Sequence, residues 1–283
     1  MSTLARRLLT LLWATLLAFV IVAFSSSMWD LLLAGNFKTG PAFPWSVFAM
    51  AAVLWLMWQY LGGKGWPRST SEIRRRNLRA NRVSVQVLLW SLMAGILSIA
   101  ALAGLWIVLF QLVKTPPNNV PSMAHYPLLT VCLVLIMASL VAPLTEEAAF
   151  RGYCQGILER EFRAPIAVAV SSFLFMLAHA NHGLYWPKMI PYLLAGVVFG
   201  VIALLANSIW ASIPVHFLAD MTFFIFVWPH DAARRLVSRG GADGWFWLHV
   251  CQTVIFGLLA VLAFRRLARA AHTSVSAAPG ELL

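Results

Sequence analysis

"LLTVCLVLIMASLVAPLTEEAAFRGY", residues 128 to 153, decides the fold, because a long apolar run ends on two carboxylates and a guanidinium. The chain carries no charge from 115 to 145, longer than the roughly 20 residues a helix needs to cross a hydrocarbon core. Further uncharged runs occur at 8 to 29, 39 to 63, 83 to 113, 164 to 187, 189 to 219 and 244 to 264. None alternates with the period of two that a barrel strand requires. If "NSIW", 207 to 210, turns the chain inside the run 189 to 219, the expectation is an all-α fold: a polytopic transmembrane helical bundle of about eight helices. They fall over 8 to 28, 44 to 61, 84 to 112, 127 to 158, 165 to 181, 188 to 206, 209 to 228 and 245 to 264. Residues 1–126 then form an N-terminal group of three helices, 127–228 the polar-bearing core, and 229–283 a last helix with a short tail.

Composition agrees: 61% hydrophobic residues, 11% charged residues and a mean hydropathy of +0.79 lie outside soluble globular usage. The chain is expected to be an integral, multi-pass membrane protein whose first partner is the lipid bilayer, in a bacterial cell the inner membrane. A net charge of +11 raises the question of nucleic acid, but the basic residues flank the spans instead of forming a stripe, so no nucleic-acid partner is expected. With the N-terminus inside, cytoplasmic segments hold fourteen basic residues and outer ones six, a bias that puts both termini in the cytoplasm. Arg234, Arg235 and Arg239 run against that bias. The long basic segment 62 to 82 reads as a loop that touches anionic headgroups or anchors topology. The first apolar run is too long for a cleaved signal, so a retained span is expected. Cys132, Cys154 and Cys251 lack metal spacing and read as small apolar residues. The tail "HTSVSAAPGELL" reads as disordered.

A charge at bilayer depth costs roughly 2.5 to 3.5 kcal/mol, so each needs a partner or a task. Glu146, Glu147 and Arg151 in the fourth helix, His179 in the fifth, and His216 with Asp220 in the seventh qualify; Asp30, His125, His230 and His249 lie near span ends and read as solvated. Positions four apart share a helix face, which pairs Glu147 with Arg151, Phe175 with His179, and His216 with Asp220. Glu146 points about 100° away from Glu147. Counted from the turn "EREFRAP", 159 to 165, Glu146 and His179 lie at similar depth. Pro143 adds a kink or helix restart just before the pair. A buried polar network that locks helices together explains Glu147 with Arg151 well. It explains a second carboxylate and two histidines poorly. A desolvated glutamate beside an arginine and histidines is a setting for general-base chemistry.

Three stretches carry a resemblance. "APLTEEAAFRG", 142 to 152, resembles the EExxxRG signature of the CAAX prenyl protease and bacteriocin-processing (CPBP, also ABI or Rce1-like) intramembrane endopeptidases. "FMLAH", 175 to 179, is similar to their FxxxH, and "HFLAD", 216 to 220, to their HxxxN or HxxxD. The resemblance implies an intramembrane glutamic endopeptidase acting on a membrane-anchored peptide or protein. Glu146 would activate a water with the help of His179, Arg151 would orient the glutamate, and His216 with residue 220 would stabilise the oxyanion. Asp220 departs from the asparagine form: an ionised carboxylate cannot donate to an oxyanion, so its expected task is to orient and charge His216. Glu147 is assigned to Arg151. No cofactor is implied; zinc held by Glu146, His179 and His216 is the alternative. Two other function classes share these residues, a non-catalytic membrane immunity or binding protein and a proton-coupled transporter.

Overall fold

The computed structural model describes residues 2 to 40, 42 to 117 and 125 to 276. The described residues form an all-α membrane bundle. In chain order the helices are α1 (Thr3–Thr39), α2 (Trp45–Leu61), α3 (Ser71–Leu78), α4 (Val85–Leu112), α5 (Leu128–Glu146) and the short α6 (Gly156–Leu158). They continue with α7 (Ala164–Ala178), α8 (Trp186–Ala206), α9 (Ile213–Thr222), the short α10 (Val237–Gly240) and α11 (Gly244–Ser276). A π-helical segment, Glu147–Gln155, joins α5 to α6, and a second, Phe223–Val227, prolongs α9. Among the described residues, five helical stretches are long and apolar enough to cross a membrane: Thr3–Thr39, Val85–Leu112, Leu128–Leu158, Trp186–Ala206 and Gly244–Thr273. Trp45–Leu61 and Ala164–Ala178 are shorter apolar helices. Leu8, Leu12, Leu16 and Val20 on α1, and Ile255, Leu258 and Leu262 on α11, are exposed along one helix face after another, as lipid-facing residues are.

The chain divides into two compact units, Met1–Ala80 with Val120–Leu174, and Asn81–Asn119 with Phe175–Leu283. In the first unit α1, α2 and α5 bury Trp29, Met50, Leu54, Val134, Met137 and Val141 against one another. The α1–α2 turn is built around buried Asn36. Its amide Nδ2 donates to the carbonyls of Gly40 and Phe43 at 3.0 and 2.9 Å, and its Oδ1 accepts from the Ser46 amide and hydroxyl at 3.0 and 2.8 Å. One side chain thereby satisfies two carbonyls of the turn and one of the free amides that begin α2. In the second unit α4 is the central helix, packed by α8, α9 and α11, with Trp106, Phe110, Tyr192 and Val227 at its core. A β-carbon at Gly95 would overlap the Val215 side chain, so glycine there lets α9 lie close against α4.

Several boundaries differ from the expectation. α1 runs to Thr39 and α11 to Ser276, beyond the expected 28 and 264, because charged Asp30 and Arg265, Arg266 and Arg269 continue a helix as readily in water as apolar residues do in lipid. The first residues of the expected disordered tail are therefore helical, and 277 to 283 lie outside the described residues. α9 starts at Ile213, not 209, because Asn207 adopts a left-handed conformation and Ser208 hydroxyl donates to the Asn81 carbonyl at 2.6 Å, spreading the turn over several residues. His249 is not solvated: it is buried on α11, its Nδ1 bonded to Gln252 Oε1 at 2.8 Å, while Gln252 Nε2 donates to the Ala100 carbonyl of α4 at 2.8 Å. Segment 62 to 82 is not a free loop. It carries a 3-10 turn, Arg68–Thr70, and α3, and buried Arg74 donates to the carbonyls of Tyr60, Lys64, Gly65 and Pro67. Arg74 and Arg79 are thus absorbed by the fold, while Lys64, Arg68, Arg75, Arg76 and Arg82 remain exposed.

Candidate active site

The expected residues fall in both units: Glu146, Glu147 and Arg151 in the first, His179, His216 and Asp220 in the second. In the first, α5 continues past Pro143 without a restart, although this residue has no amide proton for the Ser139 carbonyl. Thr145 lies two residues on, and its hydroxyl donates back to the Val141 carbonyl at 2.7 Å. From Glu147 the backbone widens into the π-helical segment, a form that recurs at functional sites. Arg151 Nη1 stands 3.2 Å from Glu147 Oε1, and both side chains are 0% exposed. Glu146, at the junction of the two helical forms, keeps part of its surface open. The two neighbouring residues therefore occupy different surroundings, one completely buried with a guanidinium and one partly exposed with its Oε2 buried.

The π-helical segment is bracketed by side chains that the sequence does not single out. Ser171 hydroxyl donates to the Phe150 carbonyl at 2.8 Å, and Tyr153 hydroxyl donates to the Leu61 carbonyl at 2.9 Å. Gln155 Nε2 and Arg79 Nη1 both donate to Glu159 Oε1, at 2.8 and 3.1 Å. A β-carbon on Gly152 would lie 2.9 Å from the Asn77 and Leu78 carbonyl oxygens. Gly152 thus has a packing reason to be glycine: it seats the end of α3 against the helix that carries the glutamates.

In the second unit His179 follows the last residue of α7, and its Nδ1 lies 2.9 Å from the Phe175 carbonyl. A carbonyl only accepts, so Nδ1 carries the proton, and in its neutral form the ring holds its lone pair on Nε2. That arrangement suits a general base and equally a metal ligand. Phe175 touches both histidines, with ring centroids 4.7 Å from His179 and 5.7 Å from His216. His216 is stacked on Phe199 at 4.4 Å and is nearly sealed from solvent. Its Nε2 stands 3.7 Å from Asp220 Oδ1, within ion-pair reach but longer than a hydrogen bond.

Further groups gather around His179. Tyr192 stacks on its ring at 4.2 Å, and Tyr192 hydroxyl bonds His182 Nδ1 at 2.7 Å. Buried Lys188 donates to the His182 carbonyl at 2.8 Å. Behind Tyr192 stands Trp106, at 5.8 Å between centroids, and its indole Nε1 donates to both oxygens of buried Asp231 at 3.1 Å. The second histidine of "HANHG", 179 to 183, was the visible signal for part of this cluster. Trp106 and Asp231 are 125 positions apart and left none.

The fold class is a helical membrane protein carrying buried carboxylate, guanidinium and imidazole groups. Residues 128–222 of it match the model of a protein family described as type II CAAX prenyl endopeptidase Rce1-like. This is a protease family, and the matched region, about a third of the chain, holds all three stretches of the CPBP resemblance. No curated protein and no solved structure matches the chain.

Proposed function

We propose that the chain is an intramembrane glutamic endopeptidase that hydrolyses a peptide bond of a membrane-anchored protein or peptide. The observation that carries this reading is the unequal surroundings of the two glutamates: Glu147 is completely buried against Arg151, while Glu146 beside it is partly exposed, with its Oε2 turned inward. In this reading Glu146 takes a proton from water as the oxygen attacks the scissile carbonyl carbon, and His179 Nε2 holds that water. His216 stabilises the oxyanion, with Asp220 favouring its charged form. Collapse of the tetrahedral intermediate breaks the C–N bond, and the proton held by Glu146 passes to the departing amine. Glu147 positions Arg151, which steadies the backbone turn that presents Glu146.

No metal enters this sequence of steps. Zinc on Glu146, His179 and His216 is the competing arrangement, and His179 Nε2 would serve it too. The test is cleavage of a membrane-anchored peptide by purified protein, wild type against Glu146→Gln, with and without a chelator. Cleavage that survives the chelator and vanishes in Glu146→Gln supports the reading. Loss to the chelator with rescue by zinc would replace it with the metal mechanism, and binding of the peptide without cleavage would favour the immunity or binding class.

A further inference from the structure

Arg234, Arg235 and Arg239 lie where the basic-residue bias disfavours cations, on the side it assigns to the outside. In the second unit these three side chains and Lys114 line a cavity of about 760 Å³. That volume falls in the range, roughly 300–1,000 Å³, of sites that hold drug-sized ligands. Its walls come from the end of α4, from Tyr185 just before α8, and from the segment that precedes α11. All three are ends of apolar stretches long enough to span a membrane, so the cavity stands at the level where hydrocarbon gives way to headgroups. Tyr185, Trp186, Trp245 and Trp247, at the same helix ends, are all exposed, as the aromatic residues of a membrane-interface belt are.

The charges in this cavity are not equivalent. Arg234 Nε donates to Asp231 Oδ1 at 2.9 Å and its Nη2 donates to the Val227 carbonyl at 2.9 Å, so this guanidinium is spent inside the fold. Asp231, the one carboxylate on the wall among the described residues, is also covered by the Trp106 indole. Lys114, Arg235 and Arg239 are exposed, and of these Arg235 uses one nitrogen to donate to the Gly240 carbonyl at 3.2 Å. Three cations thus face an opening whose only acid among the described residues is paired with its own arginine. Guanidinium forks match phosphate oxygens in pairs. Phe110 and Leu236 supply an apolar wall beside them.

We propose that this cavity binds a phosphate group, and that its place at the membrane boundary makes the phosphate that of an anionic phospholipid headgroup. The basic cluster that contradicts the charge bias is then retained as a binding site, separate from the His179 and His216 side chains. The proposal does not depend on the peptidase reading.

The test uses the full-length chain in nanodiscs of phosphatidylcholine with graded phosphatidylglycerol, followed by native mass spectrometry of lipid retained after release into neutral detergent. Wild type should retain phosphatidylglycerol over phosphatidylcholine. The Lys114→Gln/Arg235→Gln/Arg239→Gln variant should bind it roughly 100-fold more weakly, from about five-fold per interfacial charge. Unchanged thermal unfolding of that variant in phosphatidylcholine shows that it folds; if it does not, Lys114→Gln alone should lose about five-fold. Equal retention of the two lipids by wild type, or undiminished phosphatidylglycerol binding by the variants, overturns the proposal. A third arm adds inorganic phosphate at millimolar concentration. Displacement of the lipid by the free ion would overturn the lipid assignment and leave a soluble phosphate as the ligand.

Discussion

Replacing Glu147 by glutamine should unfold the protein more readily than the same change one residue earlier. The Glu147–Arg151 pair is completely buried, with N and O atoms 3.2 Å apart. At an effective dielectric of about 20 that separation corresponds to an attraction of about 5 kcal/mol. Removing one member of a buried pair is known to cost about 3–5 kcal/mol, because the other charge is left without its partner. At about 2–4 °C per kcal/mol, Glu147→Gln should lower the midpoint of thermal unfolding in detergent by on the order of 10 °C. Glu146→Gln, at a partly open site, should lower it by a small fraction of that. Tryptophan fluorescence is a suitable readout, since the chain has 13 tryptophans. The double variant Glu147→Gln/Arg151→Met removes both charges and should recover part of the loss. A Glu146→Gln protein less stable than Glu147→Gln, or a double variant worse than the single one, would refute the division of labour between the two glutamates.

Gly152→Ala should cost about 1–3 kcal/mol, read by the same unfolding experiment, because its β-carbon would press on the Asn77 and Leu78 carbonyls. Burial holds the Asp231 carboxyl above its ordinary value, against the pull of Arg234, Trp106 and Lys188. A folded-state value above the unfolded one means that its contribution to stability is present at low pH and is lost as pH rises through the raised value. Asp231→Asn should therefore flatten unfolding midpoints measured upward from pH 4 or so. Reporter fusions inside 62 to 82 and after 270 should both read cytoplasmic; opposite sides would refute the topology. Asp220→Asn should reduce cleavage less than His179→Ala, since an amide still orients His216, whereas loss of a general base costs about 10² to 10⁴-fold in kcat.

The all-α class and five of the eight expected spans were legible because lipid imposes a simple requirement: about 20 uncharged residues per crossing, with every backbone group bonded within the helix; α2, α7 and α9 are shorter than that length. The "NSIW" turn was legible for the same reason, since Asn207 tolerates the left-handed conformation that ends α8. Spacing of four correctly paired Glu147 with Arg151, although the intervening turn is π-helical and not α-helical. That widening is accompanied by contacts such as Ser171 with the Phe150 carbonyl, made between residues 21 positions apart, which no local pattern announces. α3 was hidden because its hydropathy reads as a solvated loop; what folds it is one arginine, Arg74, gathering four carbonyls around itself. His249 was misjudged because nearness to a span end says nothing about which face a neighbouring helix covers.

The central claim is that Glu146 drives attack by water on a peptide bond, and single-turnover cleavage in ¹⁸O-labelled water tests it most directly. Wild-type protein in excess over a membrane-anchored peptide should place one ¹⁸O in the newly formed carboxylate of the product. Glu146→Gln should release no product on the same timescale. Product formation by Glu146→Gln at the wild-type rate, or label found in the Glu146 side chain in place of the peptide, would contradict the account.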